Sequence, residues 1–274
     1  MRTLVHLSDI HFGRVDETIL PPLIARIHEI RPDIVAVSGD LTQRARAREF
    51  HEARDFLRAL PQPQIVVPGN HDVPLHNVYA RFRSALDEFR RYITEDLEPY
   101  YSDPEIAVAG CNTARSFTWK GGRISQAQVS RIAERMCSLG PAIAKILVTH
   151  HPFDLPENYK ANSLVGRAPM AMERLLNCGV DLLLAGHIHL SHTGHTAIRY
   201  KIAGRSAIFV QAGTLSMRGR GEANAFNVIR IERDSIEVRR MNWRPEDVAF
   251  VETSCEAFER LPEGWARNKD QPSM

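Results

Sequence analysis

The chain has 274 residues, of which 43% are hydrophobic and 25% charged, a composition typical of soluble globular proteins. Its 35 basic and 33 acidic residues leave a formal charge of +2, so no strong field is expected to attract nucleic acid or membranes. No apolar run reaches the roughly 18 residues of a membrane-spanning helix, and no signal sequence precedes the first predicted strand. These properties predict a cytoplasmic protein with no membrane partner and no nucleic-acid partner beyond a small substrate.

The four cysteines are isolated in the sequence, at positions 111, 137, 178 and 255. None belongs to a C-x-x-C pair, which zinc knuckles and redox motifs use. We therefore expect four small buried thiols in a reduced protein rather than a disulfide framework.

Short apolar runs alternate with helical patterns through the first two-thirds of the chain. The predicted strands lie at residues 3–7, 34–37, 65–67, 106–111, 146–149 and 181–184. The predicted helices lie at residues 19–30, 49–60, 77–93, 126–136 and 170–176. Alternating strands and helices indicate βαβ units, so the pattern predicts a layered α/β domain.

The pattern changes after Gly186, where successive strands are predicted at residues 196–201, 207–211, 225–232 and 235–241. This run predicts a second sheet. Residues 244–274 contain three prolines and little periodicity, which predicts a tail that wraps the surface and frays at its end. No repeat or linker divides the chain, so we predict one domain over residues 1–274, with a core of about residues 1–243.

Polar residues that can bind metals follow the first two predicted strands. Asp9 and His11 close the first strand, and Asp40 follows Gly39 after the second. Residues two apart in an extended segment project to the same side, so Asp9 and His11 can reach one ion. Asp40 lies where open α/β sheets place their ligands, and one carboxylate can bridge two ions. Alone, these residues also have ordinary interpretations, as loop residues or, for Asp40, as a helix cap.

The fragment Gly69-Asn70-His71-Asp72 follows the third predicted strand and is the most specific of the set. Asn70 offers an oxygen ligand that brings no charge, and His71 lies beside it. Gly-Asn forms turns by itself, but a turn does not require the His-Asp that follows.

Histidines follow the last two strands of the α/β region. His150 directly continues the strand at residues 146–149, which favours it over His151 as a ligand. His151 is interpreted as a residue that orients a ligand through a hydrogen bond. A lone histidine after a strand is more often an ordinary surface or core residue. His187 and His189, however, lie two apart in G-H-x-H and can face one centre.

Together these fragments supply carboxylates, an amide oxygen and imidazoles, the mixed ligand set that two-metal phosphoester hydrolysis requires. Two ions about 3.5–4 Å apart can hold a bridging hydroxide and clamp the phosphoryl oxygens. A bound metal lowers the pKa of water from ~15.7 towards ~7, so no side-chain nucleophile is required. Accordingly, the sequence contains no Gly-x-Ser-x-Gly motif.

The order D-x-H, G-D, G-N-H-D, H and G-H-x-H over residues 9–189 resembles the signature of the calcineurin-like metallophosphoesterases. With G-D-L-T at residues 39–42, the chain is most similar to bacterial class III cyclic nucleotide phosphodiesterases and glycerophosphodiesterases. The resemblance implies an α/β fold, a four-layer αββα sandwich of two mixed β-sheets flanked by helices, with a dinuclear metal site at the sheet edge. Because dimers are common in that family, a homodimer is also expected.

The resemblance divides the seven ligands between two ions. The first ion is assigned to Asp9, His11, Asp40 and His189. The second ion is assigned to Asp40, Asn70, His150 and His187. Oxygen and nitrogen donors without thiolate fit iron, manganese or zinc; iron and manganese are the first expectation and zinc the alternative.

His71 is the predicted catalytic residue outside the ligand sets, and Asn70 and His71 are expected to contact the substrate. As an imidazolium, His71 would stabilise charge on the leaving oxygen or donate a proton to it; the alternative is that it only supports the loop. Asp72 either orients His71 or serves only the turn. Some relatives have an aspartate three residues after the bridging one that pairs with this histidine, whereas this chain has Gln43.

Other features are weighed against ordinary interpretations. The arginines at positions 44, 46 and 48 are interpreted as a solvated helix face rather than a substrate-attracting cluster. His192 and His195 are interpreted as exposed turn residues rather than the pocket mouth. Residues 154–167 are a candidate lid, and residues 77–101 a candidate cap or dimer contact.

The leading prediction is a metal-dependent phosphodiesterase acting on a small phosphodiester, either a 3′,5′-cyclic nucleotide or a glycerophosphodiester. A phosphomonoesterase or a nuclease with the same metal site is the alternative. A nuclease would need a basic stripe or an extra domain, which the sequence lacks. A binding scaffold on an inactive fold tends to lose ligands or the catalytic histidine, and here all seven ligand positions and His71 are filled.

Overall fold

The computed structural model describes residues 1–75, 78–118, 121–156, 159, 163–196, 199–200, 205–219, 221–262 and 264–268. The strands are β1 Arg2–Leu7, β2 Ile34–Val37, β3 Gln64–Val66, β4 Tyr100–Ser102, β5 Ile106–Cys111, β6 Ala144–Thr149, β7 Leu182–Ala185, β8 His192–His195, β9 Ile208–Gln211, β10 Ala225–Ile231, β11 Ser235–Arg244, β12 Ala249–Leu261 and β13 Gly264–Arg267. The helices are α1 Leu20–Ile30, α2 Ala47–Ala59, α3 Val78–Arg83, α4 Asp87–Tyr92, α5 Gln126–Cys137 and α6 Ala168–Asn177. A short 3-10 helix, Glu17–Ile19, leads into α1.

The strands form two mixed sheets. The first has the order β13-β12-β11-β10-β1-β2-β3, in which β1, β2 and β3 are parallel and β10 to β13 are antiparallel. The second has the order β4-β5-β6-β7-β9-β8, in which β5, β6, β7 and β9 are parallel. Parallel strands joined through helices place their carboxyl ends at one edge of the sheet. The expected α/β fold with two mixed sheets is confirmed.

Alternating side chains on each strand create three apolar layers. In β6, Ile146 and Val148 face the other sheet, whereas Leu147 between them faces α5 and α6. In β1, Leu4 faces the other sheet and Val5 packs towards α1 and α2. The layers therefore run helix, sheet, sheet, helix, as the resemblance implied.

Helix α5 illustrates why the flanking helices form where the sequence predicts them. The Ser125 side chain accepts a hydrogen bond from the Gln128 backbone N–H, and the Gln128 side chain accepts one from the Ser125 N–H. Such a cap contributes about 1 kcal/mol. Val129, Ile132 and Met136 follow at three- and four-residue steps and are buried. Of the described helices, none is both long and apolar enough to cross a membrane.

The single helix predicted over residues 77–93 is wrong, because the described part of this segment forms two short helices, α3 and α4. The two halves pack against different partners. Arg81 of α3 is buried and donates hydrogen bonds to the carbonyls of Pro74, Ser116 and Thr118. Phe89 of α4 packs edge-on against the α2 side, with its ring 6.3 Å from that of Phe50. The apolar spacing across the break therefore does not belong to one helix.

The predicted surface tail over residues 244–274 is also wrong where the structure describes it. Strands β12 and β13 extend the first sheet, and β12 pairs with β11 over its whole length. Pro245 and Pro262 lie in the tight connections between these strands, so they mark turns rather than an irregular tail. Only Phe250 and Phe258 of β12 are buried, which is why the sequence shows little periodicity.

The strand predicted at residues 196–201 lies earlier in the chain, as β8, in which His192 pairs with Gln211 of β9. His-Thr-Gly-His carries no apolar alternation, so its pairing could not be predicted from hydrophobicity. Residues 197–198 and 201 lie outside the described residues. His192 therefore lies in a strand, with its ring 5.3 Å from that of Phe209, and not in the expected exposed turn.

The expectation of four free thiols is wrong for one pair, because Cys137 and Cys178 form a disulfide. Cys137 ends α5 and Cys178 directly follows α6, so the packing of these two helices brings residues 41 apart in sequence to a Cα separation of 4.5 Å. Cys111 and Cys255 are free.

Candidate metal centre

Every fragment predicted to carry a ligand lies directly after the carboxyl end of a strand, where the two sheets meet. The fragments follow β1, β2, β3, β6 and β7. Backbone hydrogen bonds join their loops, from Asp9 N to Gly39 O and from Gly186 N to His150 O, both 3.1 Å. The structure thereby brings all the predicted site residues into one cluster: Asp9, His11, Asp40, Asn70, His71, His150, His187 and His189.

The first part of the cluster, here called the Asp9 group, consists of Asp9, His11, Asp40 and His189. Their candidate ligand atoms all lie within 4.8 Å of one another, and all four residues are buried. Asp9 Oδ1 is 3.2 Å from His189 Nε2 and 3.7 Å from His11 Nε2. Two carboxylates and two imidazoles therefore converge on one small volume, as the resemblance predicts for the first ion.

The second part, here called the Asn70 group, consists of Asn70, His150 and His187. Asn70 Oδ1 lies 3.0 Å from both His150 Nε2 and His187 Nδ1. His151 lies beside this group, with its ring 4.6 Å from that of His187 and its Nδ1 2.9 Å from the Thr113 hydroxyl. His150, His151 and His187 each offer a ligand atom within 4.8 Å of the other two, so the role of His151 as an orienting residue and not a ligand stays a prediction.

Asp40 faces both groups. Its Oδ2 atom is 3.7 Å from His11 Nε2 and 3.4 Å from His150 Nε2. Its other oxygen, Oδ1, accepts a hydrogen bond from the His71 backbone N–H at 2.7 Å. The backbone bond fixes the carboxylate, and the free edge of the carboxylate points between the two groups.

The ring nitrogens show that the cluster fits cations. The Nδ1–H groups of His11, His150 and His189 can each donate to a backbone carbonyl, those of Thr42, Ser38 and Arg218 respectively. Their Nε2 lone pairs then face inward. His11 Nε2 and His189 Nε2 are 3.3 Å apart, and the buried Asp9 Oδ1 has no hydrogen-bond partner. Lone pairs that face each other at such distances attract a metal ion or protons.

The backbone at the site adopts conformations that side chains rarely tolerate. Five of the predicted ligands have positive φ values: Asp9 at 53°, His11 at 52°, Asp40 at 51°, His187 at 75° and His189 at 57°. Such residues cost energy and cluster at functional sites. Asp9 and His11 therefore face one group through left-handed backbone, not through the extended segment that the sequence predicted. His187 and His189 also have left-handed backbone but face different groups.

Glycines in the motifs allow the loops to approach closely. A Cβ atom on Gly69 would lie 2.1 Å from Asp40 Oδ1, and one on Gly186 would lie 1.8 Å from the Ser8 hydroxyl. The Ser8 hydroxyl itself donates to Asp9 Oδ2 at 2.7 Å. Any side chain at these two positions would therefore displace a predicted ligand.

Burial and neighbouring charges set the protonation of the site. Burial alone would raise the pKa of Asp9, but the neighbouring imidazoles, His189 foremost, hold the pKa well below its usual range. Burial tends to lower the pKa of His189, yet the Asp9 carboxylate raises it above the ordinary value. Burial and the charge of His150 lower the pKa of His187 to about 4. The carboxylates are thus ionised and His187 is neutral at neutral pH.

His71 lies beside the cluster without joining either group. Its ring is edge-on to that of His11, with centroids 4.8 Å apart. Its Nδ1–H donates to the backbone carbonyl of Gln43 at 2.9 Å, so the main chain orients the ring where some relatives use an aspartate. Burial lowers the pKa of His71.

Asp72 serves the turn and not His71. Its carboxylate accepts hydrogen bonds from the backbone N–H groups of Leu41, Thr42 and Gly69, which ties the Asp40 loop to the Asn70 loop. Burial and the nearby charge of Asp40 raise the pKa of Asp72 to about 6. The sequence left open whether Asp72 orients His71 or serves only the turn. The hydrogen bonds of Asp72 are those of a residue that serves the turn.

The remaining predicted features belong to neither group of the ligand cluster. Arg48 is exposed and pairs with Glu52 one turn along α2, the geometry of a solvated helix face. In the candidate lid, Asp154 and Leu155 are buried and Arg199 forms an ion pair with Asp154. Residues 157–158 and 160–162 of that segment lie outside the described residues, so the lid stays a prediction.

Sequence reasoning missed Arg218. Its Nη1 lies 2.9 Å from His71 Nε2, and its backbone carbonyl accepts the hydrogen bond from His189 Nδ1. The residue belongs to none of the metal-ligand fragments, and it lies 29 positions after His189. Arg218 reaches the site because the loop between β9 and β10 passes beside it, a placement that the sequence motifs do not indicate.

Comparison with known proteins agrees with this geometry. The model of the calcineurin-like phosphoesterase family matches residues 2–191. The chain is 34% identical over 80 residues to the glycerophosphodiester phosphodiesterase GpdQ of Enterobacter lignolyticus, a match that covers 25% of this chain and 29% of that protein. The two curated relatives are matched over 29% and 48% of their own lengths.

Solved structures share the fold at low sequence identity. A dimetal phosphatase from Danio rerio is similar with a TM-score of 0.66 and 13% identity, over 92% of this chain and 98% of that one. The purple acid phosphatase PPD1 of yellow lupin is similar with a TM-score of 0.67 and 12% identity, over 92% of this chain and 52% of that one. These likenesses concern the fold alone, whereas the family match covers all five motifs, which lie within residues 9–189. The chain belongs to the calcineurin-like phosphoesterase family, which uses a dinuclear metal site.

Proposed function

We propose that this protein is a metal-dependent phosphodiesterase whose substrate is a small phosphodiester, either a 3′,5′-cyclic nucleotide or a glycerophosphodiester. The observation that carries the proposal is the position of Asp40 Oδ2, 3.7 Å from His11 Nε2 and 3.4 Å from His150 Nε2. A carboxylate between two groups of inward-facing donors is the arrangement that a bridging ligand needs in a two-metal site.

In this proposal the Asp9 group holds one ion, and the Asn70 group together with Asp40 holds the other. The donors are oxygen and nitrogen without thiolate, so we propose iron and manganese, with zinc as the alternative. When bound, the two ions supply Lewis acidity towards the phosphoryl oxygens and activate water at neutral pH. The buried carboxylates contribute the negative charge that retains the cations.

His71 is the proposed catalytic side chain, and Asn70 and His71 are the proposed substrate contacts. The Gln43 carbonyl and the backbone bond to Asp40 hold the imidazole in one orientation, so its Nε2 edge is directed consistently. As an imidazolium, the ring can stabilise the leaving oxygen from that edge or deliver a proton to it, an effect that typically contributes about 10²–10⁴-fold. The bond from phosphorus to the leaving alcohol would break, the proton would end on that alcohol, and the oxygen of water would form the new bond to phosphorus.

Preference for a diester is supported by the partial match to a glycerophosphodiester phosphodiesterase. A phosphomonoesterase is the second candidate, because two solved phosphatases share the fold. A nuclease finds less support, since the formal charge of +2 supplies no extended basic surface.

The decisive experiment compares purified protein loaded with manganese or iron on bis-p-nitrophenyl phosphate and on p-nitrophenyl phosphate. Cyclic nucleotides, glycerophosphodiesters and single-stranded DNA follow as a substrate panel. We expect diester turnover that is lost in Asp40→Ala, that falls about 10²–10⁴-fold in His71→Ala with metal retained, and that is unchanged in the exposed control Asp234→Ala. A preference for the monoester would replace the diesterase proposal with the second candidate.

The proposal also includes the location and the partners of the protein. A cytoplasmic location and a homodimer remain predictions from the sequence and the resemblance. The Cys137–Cys178 disulfide weighs against the cytoplasm, because disulfides persist mainly in oxidising compartments. Fractionation of the host cell and light scattering of the purified protein test the two predictions separately.

A further inference from the structure

Arg218 lies on the loop between β9 and β10, and this loop is fastened to the segment that carries the first ligands. The Thr214 hydroxyl donates to the Asp9 carbonyl at 2.8 Å, and the Leu215 N–H donates to the same carbonyl at 3.3 Å. The Met217 N–H donates to the Arg14 carbonyl at 3.0 Å. The position of Arg218 relative to the site is therefore fixed by the backbone.

The guanidinium of Arg218 reaches the predicted catalytic histidine. Because His71 Nδ1–H donates to the Gln43 carbonyl, His71 Nε2 carries a lone pair and accepts from Arg218 Nη1 at 2.9 Å. Within the part of the chain that the structure describes, this is the one hydrogen bond of the guanidinium, and Arg218 pairs with no carboxylate. The Arg218 guanidinium is permanently charged, half-buried and has five N–H donors, and it uses one of them to bind the neutral ring of His71.

Arg81 shows how the same side chain is accommodated when its role is structural. Its guanidinium donates to three backbone carbonyls, those of Pro74, Ser116 and Thr118. Arg218 lacks such acceptors, although it lies within reach of a cluster that binds anionic substrates in the proposed function. A guanidinium fork matches two phosphoryl oxygens, which an imidazole nitrogen cannot replace.

We propose that Arg218 is a substrate-binding residue, which rests on the proposed function: its guanidinium leaves His71 Nε2 and binds the nonbridging phosphoryl oxygens of the diester. The exchange has two consequences. The phosphoryl group gains a charge-assisted contact beside His71. The Nε2 edge of His71 becomes uncovered, so it can carry the proton that the proposed function delivers to the leaving oxygen. Arg218 therefore covers the catalytic edge of His71 only while substrate is absent.

The test uses Arg218→Ala, Arg218→Lys and the control Arg14→Ala, an exposed arginine whose backbone holds the same loop. Losing a charge-assisted hydrogen bond costs about 1.5–3 kcal/mol, which corresponds to about 10–100-fold. We expect KM for the diester to rise by that factor in Arg218→Ala, and kcat to fall less. Added guanidinium chloride at low concentration restores part of the activity, and Arg218→Lys lies in between.

A second measurement does not depend on turnover. Calorimetry of the manganese-loaded protein with inorganic phosphate gives an affinity that we expect to fall about 10–100-fold in Arg218→Ala and to stay unchanged in Arg14→Ala. Unchanged phosphate affinity and KM in Arg218→Ala overturn this inference while wild-type diester turnover still supports the proposed function. If phosphate affinity falls in Arg218→Ala but the wild-type protein hydrolyses no diester, the inference about Arg218 is supported and the proposed function is overturned. Loss of bound metal in both Arg218 variants would make the residue a support for His189 and would also overturn the inference.

Discussion

Two buried aspartates, Asp9 after the carboxyl end of β1 in the first sheet and Asp181 before the amino end of β7 in the second, show how this molecule separates function from stability. Asp181, before β7, has permanent partners for both oxygens: the Trp265 indole N–H, the Arg260 guanidinium and the Lys145 backbone N–H. Asp9, at the carboxyl ends, has one oxygen with no hydrogen-bond partner and faces imidazole lone pairs. The hydrogen-bonding capacity of the Asp181 carboxylate is satisfied within the protein, whereas the Asp9 carboxylate needs a cation or protons to satisfy its second oxygen.

This difference predicts two separable phenotypes. Substitutions at the carboxyl ends should abolish chemistry with little effect on folding, because the removed charge contributes chiefly to ion binding. Substitutions at the Asp181 end should destabilise the fold and leave the chemistry of folded molecules intact. The predictions below test each half of the comparison.

The largest expected effect is that of Asp9→Asn on activity. The amide keeps an oxygen that can accept from the Ser8 hydroxyl and the His187 N–H, so the fold should be retained. Loss of the charge should remove an ion from the Asp9 group and lower diester turnover by about 10²–10³-fold or more. Elemental analysis measures metal content beside kinetics and the urea midpoint. Wild-type metal content in this variant would contradict the assignment of Asp9 as a ligand.

The reciprocal prediction concerns Asp181→Ala. Removing this carboxylate leaves buried donors of Trp265 and Lys145 and the Arg260 charge without their partner, which should cost about 3–5 kcal/mol in the free energy of unfolding. Turnover per folded molecule should not change. Asp234→Ala is a matched control, because Asp234 is exposed and lies 3.8 Å from the same arginine; its cost should stay below about 1 kcal/mol.

If Asp181→Ala and Asp234→Ala destabilise the protein equally in urea titrations, the hydrogen bonds of Asp181 are not the source of its effect. If Asp181→Ala instead lowers turnover in molecules that remain folded, the separation between the two ends fails.

A smaller loss of stability is expected at the same end from Cys178→Ser. The disulfide with Cys137 closes a loop of 41 residues, for which chain entropy gives a stabilisation of about 2–4 kcal/mol. Cys255→Ser is the control, since that thiol is free and its replacement should change stability by less than about 0.5 kcal/mol. Urea titrations with and without reductant measure both variants. An intact mass that shows four free thiols after purification without reductant would remove the basis of this prediction.

The same comparison explains what the sequence could predict. The predicted ligands Asp9, Asp40 and His150 could be located because each follows an apolar run, and strand ends meet at one edge of a sheet. The disulfide and Arg218 could not, because each depends on the distance between segments that only packing brings together. Strand β12 was hidden for a related reason, since a strand with few buried residues has no hydrophobic alternation.

The smallest effect is an acid sensitivity that originates beneath the site, at His6 on β1. This side chain is fully buried between the sheets and its Nε2 contacts the Ser38 hydroxyl at 2.9 Å, and burial lowers its pKa to about 3. Because the unfolded chain titrates near 6.5, it binds more protons than the folded chain between pH 6.5 and 3. The stabilisation from neutral His6 is therefore complete above pH 6.5. It is lost as the pH falls, by about 1.4 kcal/mol per unit.

Urea titrations of the metal-free protein at pH 7 and pH 5.5 should show this loss, and His6→Asn should reduce it while retaining a group that can bond Ser38. His187 adds to the loss over the same pH range, because burial and the charge of His150 lower its pKa to about 4, whereas the lowered pKa of Asp9 makes that carboxylate contribute only at still lower pH. Metal loading should not restore the His6 component, since His6 contacts no predicted ligand through a hydrogen bond. If the free energy of unfolding depends on pH identically in the wild type and in His6→Asn, the acid sensitivity comes from the metal cluster and not from His6.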